Sequence, residues 1–298
     1  HQLRRRGALM ATFEVTTLLD EAFDGGTLID ERDDGNGLSL REAIGLVNAG
    51  VGDANTVIEF LNTLSGDIAL GSTIDIQKSV AIEGLGESVL AIDGGGSVQL
   101  FTINGSAGTP VSFSALTIQG GYDNSRSGGI SVYSGDVSID SVTFDKNEGG
   151  RGGAISNRTN LSITNSTFIE NEASLSAGAI YSSPLGNSLS IDGATFTGNF
   201  TSSFPNARGG AIIANSGTFD LSNSVFTDNT AGNNNISGSA FGGAGYIRGS
   251  VASIEDTHFD GNDVVASTTG NARDQGGAIY FRQGSLSIER VTIENSTA

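Results

Sequence analysis

Three arginines stand shortly before recurring glycine pairs, and they are the residues best suited to bind an acidic ligand. They are Arg151, Arg208 and Arg273. A guanidinium stays charged at physiological pH, and its planar fork matches a carboxylate. A row of them along one surface would form a basic strip for an acidic glycan. Solvated loop positions explain the same residues more simply, and the sequence favours that interpretation.

Acidic side chains recur at one position of successive repeats, interleaved with hydroxyl side chains. The acidic members are Asp140, Asp192, Glu255 and Glu289, and the hydroxyl members are Thr164 and Ser222. If the repeats stack like neighbouring strands, carboxylates two repeats apart are separated by roughly 10 Å. Calcium needs oxygen ligands at roughly 2.3–2.6 Å. The row therefore predicts a solvated polar face and not a shared cation site.

Other reactive side chains are scarce. Lys78 and Lys146 are the only lysines, and His258 is the only histidine besides His1. A hydrolase needs converging carboxylates, and a lyase needs a basic residue beside the substrate carboxylate. The sequence shows no such set, so we assign no catalytic residue, no metal ligand and no cofactor.

An acidic run near the N terminus superficially resembles a calcium-binding loop. The run covers residues 30–37, but Arg32 takes a ligand position and Arg41 the twelfth position, which breaks the EF-hand pattern. A calcium site of another kind at this run is the weaker alternative.

The overall charge narrows the range of partners. The 298 residues include 33 acidic and 15 basic ones, for a formal net charge of −18. Such a surface repels nucleic acid and anionic membranes, and no segment is long and apolar enough to span a bilayer. We expect a monomer with neither kind of partner. The absence of cysteine excludes disulfides and sulfur metal sites.

A tetrad of small residues and isoleucine divides the chain into repeats. Its copies lie at residues 128–130, 152–155, 177–180, 209–212, 242–244 and 276–279. When Gly129 is matched to Gly153 and to its later counterparts, the spacings are 24, 25, 32, 33 and 34 residues. Alternating apolar and polar residues follow each tetrad, which predicts short strands with one buried face. Polar insertions at 201–208, 232–241 and 264–275 are expected to form loops at one corner.

A Phe-x-x-Asn motif follows the strands of most repeats. Its members are Phe144, Phe168, Phe196, Phe226 and Phe259 with Asn147, Asn171, Asn199, Asn229 and Asn262. At the inter-strand spacing of about 4.8 Å, the rings would stack and the amides would form a ladder between repeats. A ligand-binding role for the asparagine row is the less favoured alternative. The pattern predicts an all-β fold, a right-handed single-stranded parallel β-helix.

A short amphipathic helix is predicted to cover the first end of this solenoid. Ser39 and Glu42 form a capping box, and apolar residues of 40–47 recur at helical spacing. We predict a helix at 39–49 within a cap over residues 10–56, followed by the β-helix over residues 57–298. Residues 1–9 are interpreted as a vector-derived tag, and the chain is expected to stop within a repeat of a longer protein.

The paired motifs resemble the polymorphic outer-membrane-protein repeat family, whose hallmarks are GGAI and FxxN. Gly152–Ile155 with Phe168–Asn171 matches both hallmarks, and the match covers residues 128–298. Leu38–Ile44 is similar to the CSLREAI-type cap motif of the broader pectin-lyase-like β-helix proteins, with Leu38 in place of the cysteine.

The resemblance implies a secreted or surface-displayed bacterial protein, an adhesin or the stalk of a larger exported protein. Its partner would be a host cell, an extracellular matrix or a polysaccharide surface. The alternative is a polysaccharide lyase or glycoside hydrolase that acts on an acidic glycan in a lateral groove, because one fold can support many functions.

Overall fold

The backbone winds into a parallel β-helix of about seven turns, and strands make up 55% of the residues. This computed structural model describes residues 11–33, 35–183, 188–202, 206–232, 238–265 and 274–298. The predicted fold class is confirmed. Residues 1–9, predicted to be a tag, lie outside the described residues.

The described chain contains two helices near its N terminus, α1 (Leu28–Asp33) and α2 (Leu40–Asn48). The first strands are β1 (Thr12–Val15), β2 (Val57–Phe60), β3 (Gly66–Ala69), β4 (Ile74–Ile76), β5 (Val80–Glu83), β6 (Leu90–Val98), β7 (Phe101–Asn104), β8 (Pro110–Asp123) and β9 (Ile130–Ser134). The middle strands are β10 (Asp136–Asp145), β11 (Glu148–Arg151), β12 (Ile155–Asn157), β13 (Leu161–Thr164), β14 (Thr167–Ile169), β15 (Glu172–Ser176), β16 (Ile180–Ser182), β17 (Ser188–Asp192), β18 (Thr195–Thr197) and β19 (Phe200–Thr201). The last strands are β20 (Asn206–Arg208), β21 (Ile212–Ser222), β22 (Val225–Thr227), β23 (Thr230–Gly232), β24 (Ser239–Phe241), β25 (Gly245–Glu255), β26 (His258–Asp260), β27 (Asp263–Val265), β28 (Asp274–Gln275), β29 (Ile279–Phe281), β30 (Gly284–Glu289) and β31 (Thr292–Glu294).

Equivalent residues of successive turns pair directly. In β13 and β17, Leu161 pairs with Leu189 and Ile163 with Ile191. These apolar side chains point inward and are buried, whereas the serines between them lie on the outer face. The period-two alternation of the sequence therefore fills one continuous core.

The phenylalanines of the Phe-x-x-Asn motif form a stack inside the solenoid. Successive ring centroids from Phe144 to Phe259 are 4.8, 4.6, 4.5 and 4.8 Å apart, and the interplanar angles are 3°, 4°, 6° and 19°. All five rings are at most 1% exposed. Burial of this apolar area favours the folded state, and the ring contacts add specific packing geometry.

The asparagines of the same motif form a buried hydrogen-bonded ladder. The Oδ1 of Asn199 accepts hydrogen bonds from the backbone N (3.1 Å) and the Nδ2 (3.0 Å) of Asn171. Its Nδ2 donates to the carbonyl oxygen of Phe168 (3.0 Å) and to the Oδ1 of Asn229 (2.8 Å). In the last turn Ser296 takes the place of asparagine and accepts from the backbone N of Asn262 at 3.2 Å.

The first tetrad is displaced by one residue from the predicted alignment. Ile130 pairs with Ile155, which lies 25 residues further on, and the backbone N of Gly128 donates to the carbonyl oxygen of Gly153 at 2.9 Å. Gly128 is therefore equivalent to Gly153, and the match of Gly129 to Gly153 was wrong. The inward isoleucine determines the register, since a one-residue slip would turn it outward.

The cap covers the apolar end of the first turns. Ser39 is the N-cap of α2: its Oγ accepts from the backbone N of Glu42 (3.3 Å), and the Glu42 carboxylate accepts from the backbone N of Ser39 (2.8 Å). The apolar face of α2 is buried against the core. Strand β1, within the region predicted as cap, pairs with β2, so the first turn begins before residue 57. Neither described helix has the length and apolarity to cross a membrane.

The three insertions contain more structure than the predicted polar loops. Each ends in a short strand, and β20, β24 and β28 pair in parallel as a separate three-stranded sheet. Ala207 and Ala240 are buried with Ala231 and Val264 in a small apolar cluster beneath this sheet. Residues 203–205, 233–237 and 266–273 of the insertions lie outside the described residues.

Two glycines of the later turns should respond oppositely to substitution by alanine, one losing and the other gaining stability. A Cβ at Gly210 would lie 1.9 Å from the carbonyl oxygen of Gly243, whereas a Cβ at Gly245 would meet nothing within 4 Å. Gly245 occupies the register position of Ile212 and Ile279 and borders a small apolar cavity.

We expect Gly210→Ala to lower the free energy of unfolding by about 3 kcal/mol or more, because the overpacked backbone cannot yield. Gly245→Ala should raise it by about 0.5–1 kcal/mol, because alanine restricts the unfolded chain and adds apolar contact. Urea unfolding followed by circular dichroism measures both. Equal destabilisation by the two substitutions would contradict the difference in packing around Gly210 and Gly245.

Candidate functional site

One corner of the β-helix carries arginines from several turns. We call it the arginine corner, defined by Arg126, Arg151, Ser176 and Arg208. The backbone N of Arg151 donates to the carbonyl oxygen of Arg126 (3.0 Å), Arg151 pairs with Ser176, and the backbone N of Ala177 donates to Arg208 (3.0 Å). Arg151 and Arg208 are thus two turns apart, roughly 10 Å.

The arginines singled out in the sequence differ in their environments. The guanidinium carbon of Arg151, an exposed residue, lies 5.8 Å from the ring centre of Tyr181. Arg208 is half-buried, and its guanidinium carbon lies 5.5 Å from the ring centre of Tyr246, which is 2% exposed. The Nε of Arg208 is buried without a hydrogen-bond partner among the described residues. Arg273 lies outside the described residues.

A second cluster at the same end of the corner brings two guanidiniums to one tyrosine. The guanidinium carbons of Arg126 and Arg158 lie 5.5 and 5.6 Å from the ring centre of Tyr133. Such contacts are attractive because the face of the ring carries negative charge density. Tyr133 is 37% exposed, and Arg158 is exposed as well.

Carboxylates form salt bridges with arginines elsewhere in the described chain but not with the first two arginines of this corner. Arg41 forms a salt bridge with Asp20 (2.7 Å) that is largely shielded from solvent, and Arg290 forms one with Asp256 (2.5 Å). Among the described residues, Arg126 and Arg151 form no salt bridge. Two arginines of the corner are therefore not neutralised by a salt bridge within the described residues, although the chain has a net charge of −18.

The acidic row is exposed, but it is hydrogen-bonded from turn to turn. The Asp140 carboxylate accepts from the Oγ1 of Thr164 (2.5 Å) and the Nδ2 of Asn165 (3.0 Å). These donors favour the ionised form and hold the pKa of Asp140 below its usual value. Thr164 therefore lies between the turns of Asp140 and Asp192 and donates a hydrogen bond to the earlier one.

The same arrangement repeats two turns later and ends in an ion cluster. Asp192 accepts from the Oγ of Ser222 (2.8 Å) and the Nδ2 of Asn223 (2.6 Å), which lowers its pKa. Glu255 and Glu289 then occupy adjacent turns, and Arg290 lies between their carboxylates. Asp140 and Asp192 are two turns apart, with the turn of Thr164 between them, which agrees with the expected spacing.

His258 and the lysines do not converge on these groups. His258 is half-buried and pairs with Val225 and Thr292 in the outward-facing column that also holds Thr195. Lys146 lies 3.6 Å from a carboxylate oxygen of Asp145.

Residues 30–33 of the acidic run fold into α1, and residues 35–37 lie outside the helix. Glu31 is only 3% exposed, and burial is the main cause that raises the pKa of its carboxyl, followed by the neighbouring Asp24. One Glu31 oxygen accepts from the backbone N of Gly26 at 2.8 Å. Within the described ranges, no three His, Asp or Glu residues are arranged to hold a metal ion.

A carboxylate pair that was not predicted from the sequence lies beside the arginine corner. Glu148 and Glu172 pair in adjacent turns, on the same two strands that bring Arg151 to the corner. Burial, and then the charge of Glu148, raises the pKa of Glu172. The available signal was that each glutamate directly follows a ladder asparagine, Asn147 or Asn171.

Arg126 and Arg158 were also missed, and for different reasons. Arg126 is equivalent to Arg151 once Ile130 is aligned with Ile155, which the glycine-based alignment concealed. Arg158 follows its strand in a turn without a recurring motif, and only the register brings it beside Tyr133.

No protein-family model matches the chain, and no curated protein sequence matches it significantly. The resemblance to the outer-membrane repeat family therefore rests on the motifs alone.

The acidic row should make the free energy of unfolding depend on pH. Because donors from Ser222 and Asn223 lower the pKa of Asp192, its ionised form stabilises the fold above the unfolded pKa of about 4. That contribution is lost as the pH falls through the lowered folded pKa. Asp192→Asn should therefore cost up to about 1 kcal/mol at neutral pH and less at about pH 3.

Urea unfolding over this pH range measures the difference between the Asp192→Asn variant and the parent chain. Asp220→Asn is the matched control, because Asp220 is exposed on the neighbouring column and accepts no side-chain hydrogen bond within the described part of the chain. A pH-independent effect at Asp192 would contradict the hydrogen-bonded row.

Proposed function

We propose that the chain is a non-enzymatic β-helix module of a secreted or surface-displayed bacterial protein, an adhesin or the stalk of a larger exported protein. The observation that supports this function is the arginine corner, whose exposed Arg151 has no salt-bridge partner among the described residues. On a chain so rich in carboxylates, arginines without such partners mark a surface suited to an acidic ligand.

The core supports this proposal mechanically. The stacked rings and the asparagine ladder join successive turns by repeated contacts, which suits a stiff rod that spaces or displays a binding surface. The exposed arginines lie along the side of the rod, so ligand would be held over an extended surface and not within an enclosed cavity.

Immobilised polysaccharides test the proposal directly. We expect the protein to be retained on acidic polysaccharide surfaces and not on neutral ones, and Arg151→Gln to weaken the retention. Arg248→Gln is the control for charge, because Arg248 is also exposed but lies outside the arginine corner. Failure to bind any acidic surface at about 0.15 M salt, where long-range repulsion is screened, would contradict the adhesin function and leave that of a stalk.

A second candidate function is favoured by the carboxylate pair. Glu172, with its raised pKa, would act as a general acid and Glu148 as its carboxylate partner, while Arg151 would hold an acidic substrate. These roles would make the chain a glycoside hydrolase or a polysaccharide lyase, the alternative function considered from the sequence.

Chromatography of polysaccharides incubated with the protein separates the two functions. The preferred function predicts that no oligosaccharides are released. Release that Glu172→Gln abolishes, and that Asp220→Asn leaves intact, would replace the binding module with an enzyme.

A further inference from the structure

The geometry around Tyr133 points to a binding site for a single acidic sugar. We propose that Arg126 and Arg158, both against this ring, bind the carboxylate or sulfate group of such a sugar. This inference rests on the proposed function, since it names the ligand class and the anchor residues of the lateral surface.

The backbone holds Arg126 in place before any ligand arrives. The Oδ1 of Asp123 accepts from the backbone N of Ser125 and from the backbone N of Arg126, both at 2.7 Å. Gly149 of the next turn lies so close that an added Cβ would be 2.4 Å from the carbonyl oxygen of Arg126. The loop is therefore fixed on both sides, which lowers the entropy cost of binding.

Arg158 is held by a buried asparagine in the preceding position. The Oδ1 of Asn157, a fully buried residue, accepts from the backbone N of Thr159 at 3.1 Å. Its Nδ2 donates to the Oγ of Ser182 in the next turn at 3.2 Å. These bonds anchor the turn on both sides of Arg158 while its side chain stays exposed.

Two guanidiniums near one ring concentrate positive charge at one place on the surface. Among the described residues, no carboxylate oxygen lies within 4 Å of the guanidinium nitrogens of Arg126, so this charge favours the approach of an anion. A guanidinium is planar and presents several N–H donors to oxygen acceptors. A carboxylate or sulfate placed between them would accept charge-assisted hydrogen bonds from both.

The surroundings favour a sugar as the carrier of this anion. The ring of Tyr133 is 37% exposed and offers an apolar surface beside the charges, as the C–H face of a sugar requires. Arg151, one turn further along the arginine corner, is placed to contact a neighbouring acidic sugar. Densely charged nucleic acid is disfavoured by the net charge of −18.

Titration calorimetry at about 0.15 M salt tests the site with three probes. They are a short uronic-acid oligosaccharide, the same oligosaccharide with its carboxylates reduced to alcohols, and a sulfated oligosaccharide. We expect the first or third probe to bind and the reduced probe not to bind. The comparison of carboxylate with sulfate identifies the natural source of the anion.

The variants Arg126→Gln and Arg158→Gln should each weaken binding about tenfold, the loss expected for a charge-assisted hydrogen bond. Arg248→Gln is the matched control: it removes the same charge from the outward column of Arg158, three turns further on, and should change affinity less than about twofold. The affinity of Arg158→Lys should lie between those of the parent chain and Arg158→Gln, because lysine keeps the charge but loses the planar fork of N–H donors. Circular dichroism and melting temperature verify that each variant is folded.

Each contrary outcome has a distinct meaning. Binding that Arg248→Gln weakens as much as Arg126→Gln would overturn the site and indicate a general charge effect. Equal binding of the reduced oligosaccharide would overturn the role of the anion. If the parent chain binds acidic oligosaccharides and both glutamine variants bind as well, the site is wrong while the proposed function stands. If the parent chain binds no acidic or sulfated ligand, both the site and the adhesin function are overturned.

Discussion

Each buried asparagine amide must find its hydrogen-bond partners in the turns before and after it, and the other features of this β-helix depend on that requirement. The side chain of Asn199 is completely buried, and its donors and acceptor are satisfied only in one register. A slipped turn would leave these groups unpaired in the core, at a cost of about 1–3 kcal/mol each. Repeat length can therefore vary only away from the ladder, at the corner where the insertions emerge.

A fixed register turns the outer surface into columns in which neighbouring turns are about 4.8 Å apart. Like charges at that distance repel, and the acidic row places Thr164 between Asp140 and Asp192 and Ser222 between Asp192 and Glu255. Glu255 and Glu289 are adjacent, and Arg290 lies between their carboxylates. Glu148 and Glu172 are adjacent with no residue between them, and burial, followed by the charge of Glu148, raises the pKa of Glu172. Arg126 and Arg151 contact tyrosine rings and form no salt bridge within the described part of the chain.

The sequence predicted the features that repeat and missed those that do not. The rings and amides of Phe168 and Asn171 recur with their neighbours in the core, so spacing alone identified their stacks. The cluster at Tyr133 joins Arg126 and Arg158 from different turns and unlike positions, and only the register brings them together. The insertion strands were missed because two or three residues are too few to show an alternating pattern, and their pairing depends on stacking.

The asparagine ladder also gives the rod a direction. Each side-chain oxygen faces the preceding turn and each side-chain nitrogen donates to the oxygen of the following one, from Asn147, which accepts from Gly121, to Asn262, which donates from its backbone to Ser296. Parallel amide dipoles add along the axis, as peptide dipoles do in a helix. The ladder is thus vectorial: every side-chain oxygen accepts from the preceding turn, and every backbone N–H of the row donates to the following one.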